Sequence, residues 1–290
     1  MIEIEFDHSP NLQEPIAVLA FEGWNDAASA ATSAARYLIG QTKATKFATL
    51  PAEEFFDFKS TRPSVKIRPS GERQVNWPTL EFYSAEGSTK GCDLLVGVGT
   101  EPSVRWRTFA LEIANLLGEF DVKLTITLGA LLADSPHTRP VRITGSAPDP
   151  GTATKLGLAP SSYEGPTGIV GIVSDALRQR GLATASLWAN CPHYVSASQN
   201  PPATAALVSR LGALIGADFH VDELEEASRR FVKGVDSAMA QYPDIAAYVE
   251  QLESAIDLAQ SEGPDDLPIP SDKLLGEIER FLRDKRSEDD

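Results

Sequence analysis

The chain has 290 residues, of which 42% are hydrophobic, and a formal net charge of −15. This length allows one large domain or one domain with an appendage, and the acidic charge argues against a nucleic-acid partner, which needs clustered Lys and Arg. Since no apolar run reaches the roughly 18 residues of a membrane span, we expect no membrane partner either.

The cysteines and histidines do not indicate a metal site. Cys92 and Cys191 are too few for a disulfide framework or a zinc site, and the four histidines are scattered. We therefore expect no metal and no cofactor. The acidic, alternating start at 1–7 differs from the basic start of a signal peptide, so we expect a cytoplasmic protein.

Strand and helix patterns alternate along residues 1–219. An apolar run at 15–20 predicts a strand buried on both faces, and the Ala-rich segment 27–38, which Asn25 or Asp26 can cap, predicts a helix. The same patterns predict strands at 46–50, 80–83, 93–98, 123–128, 139–144 and 183–189, a hairpin at 65–77, and helices at 106–120, 167–179 and 203–215. This alternation indicates an α/β fold with a mostly parallel sheet covered on both faces.

The last part of the chain has a different composition. Residues 221–290 hold 19 acidic and 8 basic residues, a net charge of −11. Helical spacing predicts an antiparallel hairpin of two helices, at 221–238 and 245–256, then a proline-rich linker at 261–270 and a final amphipathic helix from Ser271. We therefore expect an α/β domain at 1–219 and an acidic helical appendage at 220–290.

Polar and glycine-rich segments follow four of the predicted strands, and the loop at 163–168 can fold over the same side. Ligands of parallel sheets bind at the carboxyl ends of the strands, where the N-termini of helices also point. We call this side of the molecule the strand-end edge. Its candidate residues are Glu22, Trp24, Asn25, Asp26, Gly97, Gly99, Glu101, Asp134, Glu164, Asn190 and His193.

Several of these candidates have a structural alternative. Gly97 and Gly99 lack the third glycine of a dinucleotide fingerprint, which favours a tight structural turn. His193 fits a general acid–base or a turn histidine bonded to the backbone. Glu22 and Glu101 fit a carboxylate pair or two helix caps.

The turn at 21–26 has structural explanations for most of its residues. Gly23 permits the turn, Trp24 anchors it, and Asn25 or Asp26 starts the helix. Glu22 alone has no assigned structural role, so it is the first residue to test for function. Trp24, like the tryptophans at 106 and 188, is expected in buried packing or in a subunit interface.

The order of these segments resembles the proteasome assembly chaperone 2 family in its actinobacterial branch. The resemblance implies a three-layer α/β/α sandwich, similar to nucleoside phosphorylases, with a helical C-terminal module. Several relatives dock through a C-terminal hydrophobic-Tyr-any residue signature, which the ending Arg286–Asp290 does not match. The resemblance rests on 20–27, 97–102, 127–134, 163–169 and 188–194.

Two functional hypotheses follow. The first is a non-enzymatic protein-interaction or assembly factor that acts as a homo-oligomer, with a trimer favoured, and whose proteasome-related partner is implied by the resemblance alone. It fits a chain with no complete catalytic constellation. The alternative is a small-molecule-binding protein or enzyme, with a nucleoside-like or carboxylate ligand at the strand-end edge.

Overall fold

The computed structural model describes residues 4–87, 92–161, 163–195 and 199–261. The chain divides into two compact units between Tyr242 and Pro243. The predicted linker after Ser261 and the predicted final helix lie outside the described residues, and the boundary near residue 220 stays a prediction.

The predicted strands and helices are present, with shifted ends. The strands are β1 (Glu5–Phe6), β2 (Ile16–Glu22), β3 (Thr45–Leu50), β4 (Ser64–Ile67), β5 (Arg73–Asn76), β6 (Leu80–Ala85), β7 (Leu94–Thr100), β8 (Leu124–Ala133), β9 (Ile143–Ala147), β10 (Ala159–Pro160) and β11 (Thr184–Pro192). The helices are α1 (Ala30–Thr42), α2 (Trp106–Glu119), α3 (Pro150–Leu156), α4 (Ile169–Gln179), α5 (Pro201–Ile215), α6 (Asp222–Met239) and α7 (Pro243–Ser261). Of these, β1, α3 and β10 are too short to give a clear pattern in the sequence.

A nine-stranded sheet, in the order β1-β3-β6-β7-β2-β8-β11-β9-β10, forms the centre of the first unit. Its middle strands β7, β2, β8 and β11 are parallel. The flanking strands β1, β3, β6 and β9 pair in antiparallel fashion. The sheet is therefore parallel where the strand-end edge lies and mixed at its margins.

Helices cover both faces of this sheet, because each central strand is apolar on both sides. In β2, Leu19 and Phe21 join the core that includes Phe109 of α2 and Val173 of α4. The alternate residues of β2 join a second core with the alanines of α1 and with Leu207 of α5. The three-layer α/β/α arrangement is thus confirmed, while the likeness to nucleoside phosphorylases stays a prediction.

The small side chains of α1 serve close packing within the chain. Ala30, Ala31, Ala34 and Ala35 are all completely buried. They lie in the same core as the inner face of β2, so the backbone of α1 can approach the sheet closely. The alanine-rich pattern therefore has a sufficient explanation within one copy of the chain.

Gly97 and Gly99 do not form the tight turn that the sequence favours; they lie inside β7. A Cβ atom on Gly97 would lie 2.6 Å from Cδ2 of Leu19, and one on Gly99 would lie 2.0 Å from the carbonyl oxygen of Thr79. Both glycines therefore allow neighbouring groups to approach the backbone of β7. The predicted turn was wrong because these two glycines are required by neighbouring groups that are distant in sequence.

None of the described helices is long and apolar enough to cross a membrane.

Candidate functional site

The parallel register of the central strands brings the predicted loops together. Glu22 lies opposite Thr100, and Asp26 forms a bridge to Ala130 beyond the end of β2. The loops that follow β2 and β7 and the outer half of β8 therefore share one side of the sheet. This is the strand-end edge that the sequence predicts, although its function stays a prediction.

Asp26 caps α1 from inside the protein. One of its carboxylate oxygens accepts hydrogen bonds from the backbone N–H groups of Ala31, at 2.7 Å, and Thr32, at 3.3 Å. The hydroxyl of Thr32 donates to the other oxygen. These bonds satisfy N–H groups in the first turn of the helix, which have no partner within the helix itself. Of the two residues that the sequence offers as the cap, Asp26 makes these bonds, although α1 begins at Ala30 rather than at residue 27.

Burial raises the pKa of Asp26 above its ordinary value of 3.8, and the hydrogen bonds from Thr32 and Ala31 oppose the rise. Burial likewise raises the pKa of the nearby Cys191 thiol to about 12. A thiol with such a pKa stays protonated at neutral pH, so Cys191 is a poor nucleophile. The shifts at this point in the structure therefore come from burial, and Asp26 already serves α1.

Between Asp26 and α1 the backbone makes a left-handed kink. Ala28 and Ser29 both have φ values of 52°. Non-glycine residues rarely adopt this region, because Cβ crowds the backbone there. The kink contacts the start of α5: the N–H of Asn200, the residue before this helix, donates to the Ala28 carbonyl at 3.3 Å, and the Thr204 hydroxyl lies 3.4 Å from the Ala30 carbonyl oxygen.

Glu101 caps α4 and at the same time holds the turn after β2. Its Oε1 accepts from the Ile169 N–H, the first of α4, at 2.9 Å and from the side-chain amide of Asn25 at 3.2 Å. Its Oε2 accepts from the Trp24 N–H at 3.4 Å. Of the two sequence alternatives for Glu101, the helix cap is the one that the structure shows.

Gly23 and Gly168 let these groups come together. Gly23 has a φ of +131°, a value that L side chains rarely adopt, and a Cβ atom there would lie 3.0 Å from Oε2 of Glu101. At Gly168, the residue before α4, a Cβ atom would lie 2.2 Å from Nδ2 of Asn25. Larger residues at either position would displace the Glu101 or Asn25 side chain.

Glu22 has structural partners, contrary to the expectation that it has no such role. Its carboxylate forms an ion pair with Arg36 of α1, and the Thr100 hydroxyl donates to Oε2 at 3.2 Å. Sequence reasoning missed both partners, because Arg36 lies on a helix and Thr100 on another strand. The two carboxylates at 22 and 101 thus have separate partners.

The remaining candidates do not join this group of contacts. Nδ1 of His193 lies 3.3 Å from Oδ1 of Asp134 and 3.4 Å from the Ala133 carbonyl oxygen. The backbone N–H of Asn190 donates to the Arg142 carbonyl, and the Glu164 side chain is exposed. The backbone contact that the sequence allows for His193 is therefore present, together with a carboxylate.

A second histidine, His137, forms a longer chain of polar groups. Its Nδ1 lies 2.9 Å from the Tyr194 hydroxyl, and its Nε2 lies 3.0 Å from Oδ1 of Asp236 in α6. The Tyr194 oxygen also accepts from the His137 backbone N–H, so its own proton can go to Nδ1. In that tautomer, Nε2 donates to Oδ1 of Asp236.

This Tyr–His–Asp chain resembles a catalytic relay but lacks room for a substrate. The His137 side chain is only 2% exposed, and the adjoining cavity has a volume of about 10 Å³. A space of that size holds one water molecule at most. The three residues therefore join α6 to the loops after β8 and β11, and sequence reasoning missed the link because Asp236 is 99 residues away.

We expect His137→Phe to loosen α6 without unfolding the rest of the first unit. The ring is kept in size, but Asp236 and the Tyr194 hydroxyl lose their contacts with the imidazole, at a cost of about 1–3 kcal/mol. Amide hydrogen exchange should become faster in α6 while α1 and α2 stay protected. Equal exchange in α6 of the variant and the parent protein would contradict the role assigned to His137.

An open groove of about 500 Å³ lies on the strand-end edge. It is lined by Glu22, Gly23, Ser60, Thr61, Thr100, Glu101, Pro102, Ser103 and Trp106. The ionisable side chains of this lining are the two glutamates, which hold α1, α4 and the turn after β2. Across the described part of the chain, no group of three His, Cys, Asp or Glu side chains could hold a metal ion.

Large aromatic side chains are exposed at the same edge. Trp24 is 68% exposed, and Tyr163, in the loop before α4, is 50% exposed. Burial of Trp24 within the chain, one of the two sequence alternatives, is therefore wrong, and an interface is left as the other. The turn is held by the backbone of Trp24 and by its neighbours, so the indole ring is available for contacts.

Comparisons with known proteins agree with this architecture. The PAC2 family model matches residues 20–239. A crystal structure of a PAC2 family protein from Streptomyces avermitilis is similar, with 44% sequence identity, a TM-score of 0.75, and coverage of 81% of this chain and 99% of that one. No curated protein matches the chain.

Two further solved structures extend the comparison. A proteasome-assembly chaperone homologue from Mycobacterium tuberculosis is 34% identical, with a TM-score of 0.73, over 81% of this chain and 99% of its own. An archaeal proteasome activator from Pyrococcus furiosus shares the fold at 20% identity and a TM-score of 0.64, over 81% and 98% of the two chains. The chain described here belongs to the PAC2 family.

Proposed function

We propose that this protein is a non-enzymatic protein-interaction or assembly factor whose docking surface is the strand-end edge around Trp24. One observation carries the proposal: the carboxylates Asp26 and Glu101 hold helix N-termini, whereas the side chain of Trp24 is 68% exposed. Catalytic acids need freedom to exchange protons with a substrate. Tryptophan and tyrosine, by contrast, are enriched among the residues that dominate protein–protein binding.

The comparisons support a partner related to the proteasome. The Mycobacterium tuberculosis relative is described as a proteasome-assembly chaperone homologue. We extend that role to this chain, and we propose that the protein works in the cytoplasm as a homo-oligomer, with a trimer favoured. The partner then docks at the strand-end edge.

The proposal is tested by capture of purified proteasome core subunits from the same organism. We expect Trp24→Ala to weaken capture at least tenfold, because loss of a central tryptophan typically costs 2 kcal/mol or more, roughly thirtyfold. Leu111→Ala removes an exposed apolar side chain from α2 and serves as the matched control. Equal capture by both variants and the parent protein would exclude the strand-end edge as the docking surface. If the parent protein captured no subunits, the proteasome would be excluded as the partner.

The groove supports a second candidate, a small-molecule binder. Its volume of about 500 Å³ lies within the range of about 300–1,000 Å³ that is usual for ligand sites. A thermal-shift screen with nucleosides and carboxylates should then give a hit, since ligand at a hundredfold excess over Kd adds about 2.7 kcal/mol of stability. Thr61→Val and Ser103→Ala change the lining without touching a helix cap and should abolish the shift; a screen without hits would exclude this candidate.

A further inference from the structure

The open groove on the strand-end edge has two carboxylates in its lining and no cation. Glu22 and Glu101 are the ionisable residues that line it, and no described Lys, Arg or His does so. Their backbones are held side by side, because the Glu101 N–H donates to the Glu22 carbonyl at 2.8 Å. Like charges in the wall of a concave surface raise the local concentration of ions of the opposite sign. The groove therefore favours a positively charged occupant.

The two carboxylates differ in how far the chain itself balances them. Glu22 pairs with Arg36 of α1, and both side chains are about half exposed, so solvent screens this pair. The partners of the Glu101 carboxylate in the described chain are uncharged, namely the backbone N–H groups of Ile169 and Trp24 and a side-chain amide. Its Oε2 has only a long contact with the Trp24 N–H, at 3.4 Å, and a carboxylate oxygen can accept two donors. Glu101 can thus accept a further hydrogen bond from a cation.

The basic side chains near the groove in sequence do not supply this cation. Arg105, which precedes the lining residue Trp106, pairs with Glu54. Lys59 and Arg62 are exposed and do not belong to the lining. Within the part of the chain that the structure describes, the groove therefore has an excess of negative charge that a partner can balance.

The rest of the lining fits a long basic side chain. The hydroxyls of Thr61 and Ser103 lie 3.3 Å apart and can accept from an ammonium or a guanidinium group. Trp106 adds an aromatic wall, and its indole N–H donates to the Pro102 carbonyl at 2.7 Å, which holds the ring in place. Aromatic rings attract cations through their π faces. The volume of about 500 Å³ is ample for one such side chain.

The groove also adjoins the exposed indole at position 24. Gly23 lines the groove, and the next residue, Trp24, is 68% exposed. We propose that a protein partner docks here with an apolar side chain on Trp24 and with the cation of a neighbouring arginine or lysine in the groove, against Glu22 and Glu101. This inference rests on the proposed docking at Trp24 and adds the chemistry of the partner, a basic residue next to an apolar one.

The cation site is tested with a small probe, acetyl-leucyl-arginine amide, whose only charge is on the arginine side chain. We expect the probe to shift the NMR signals of the Trp24 and Trp106 indole N–H groups of the full chain in a saturable manner, and to bind less tightly as salt is added. The analogue with citrulline, which has a similar shape but no charge, should bind at least tenfold more weakly. Equal binding of the two probes, or no shift of the Trp106 signal, would overturn the proposal.

Four variants separate charge from shape. Glu22→Gln keeps an oxygen for the Thr100 hydroxyl and should weaken binding of the arginine probe at least threefold. Glu119→Gln, at the far end of α2, changes the net charge equally and should have no effect. Ser103→Lys places a cation in the groove and should abolish binding, whereas Ser103→Met, of similar length, should retain most of it. Unchanged binding by Ser103→Lys, or an equal loss with Ser103→Met, would contradict a site for a cation.

Capture of proteasome subunits distinguishes this inference from the docking surface itself. We expect Ser103→Lys to weaken capture at least tenfold and Ser103→Met to leave it nearly unchanged. If Trp24→Ala weakened capture and Ser103→Lys did not, docking at Trp24 would stand and the cation site would be overturned. If the arginine probe bound as expected but the parent protein captured no subunits, the cation site would stand and the proteasome would be excluded as the partner.

Discussion

Gly99→Ala is expected to destabilise the protein by more than about 3 kcal/mol, which is beyond the usual cost of overpacking. The added Cβ atom would lie 2.0 Å from the Thr79 carbonyl oxygen and 2.6 Å from the Cα atom of Leu80. These are backbone atoms at the start of β6, which pairs with β7 opposite Gly99. Relief therefore requires a shift of the pairing between two strands of the central sheet.

Urea denaturation of the variant and its control checks this result. Gly118→Ala is a matched control, because a Cβ atom there meets nothing within 4 Å and the residue lies in α2. It should leave stability unchanged or raise it by up to about 1 kcal/mol, since alanine is the better helix former. A Gly99→Ala protein as stable as its parent would show that β6 does not lie where the structure places it.

Asp26→Ala is expected to cost about 1–3 kcal/mol of the free energy of unfolding. The change leaves the N–H groups of Ala31 and Thr32 buried without their acceptor. Asp26→Asn keeps an oxygen in the same place and should recover most of the loss. If alanine and asparagine had equal effects in chemical denaturation, the carboxylate would not be the cap of α1.

The pH dependence gives a second measure of the same residue. Because burial raises the pKa of Asp26 in the folded state, its proton binds more tightly there than in the unfolded chain. The stability that this proton adds is fully present below the unfolded value of 3.8 and is lost as the pH rises through the folded pKa. Relative to Asp26→Asn, the parent protein should therefore gain stability as the pH falls from about 7 towards 4. If the parent protein instead lost stability relative to Asp26→Asn as the pH falls, folding would lower the pKa of Asp26.

The central sheet could be predicted because its signals are local. The apolar run in β2 fixes a strand buried on both faces, and the spacing of Phe109, Ile113, Leu116 and Leu117 fixes the buried face of α2. The polar turn at 21–26 also identifies the strand-end edge, since parallel strands share the direction of their ends. Local pattern is sufficient for these features.

The roles of single residues could not be predicted, because they depend on partners far along the chain. Glu101 caps a helix that begins 68 residues later, and Glu22 is bonded to Arg36 and Thr100. Gly99 is required by β6 rather than by a turn. The exposure of Trp24 likewise depends on what the other loops leave uncovered. A sequence shows which side chains are present at an edge, and the fold decides which of them are still available.

The account places the docking surface at Trp24, and a photo-reactive amino acid at that position tests this most directly. Benzoylphenylalanine would replace Trp24 in one protein and Leu111 of α2 in a control, followed by irradiation with purified proteasome subunits and identification of the products by mass spectrometry. We predict crosslinked proteasome subunits from position 24 and none from position 111. Crosslinks of equal yield from both positions, or none from position 24, would contradict the account.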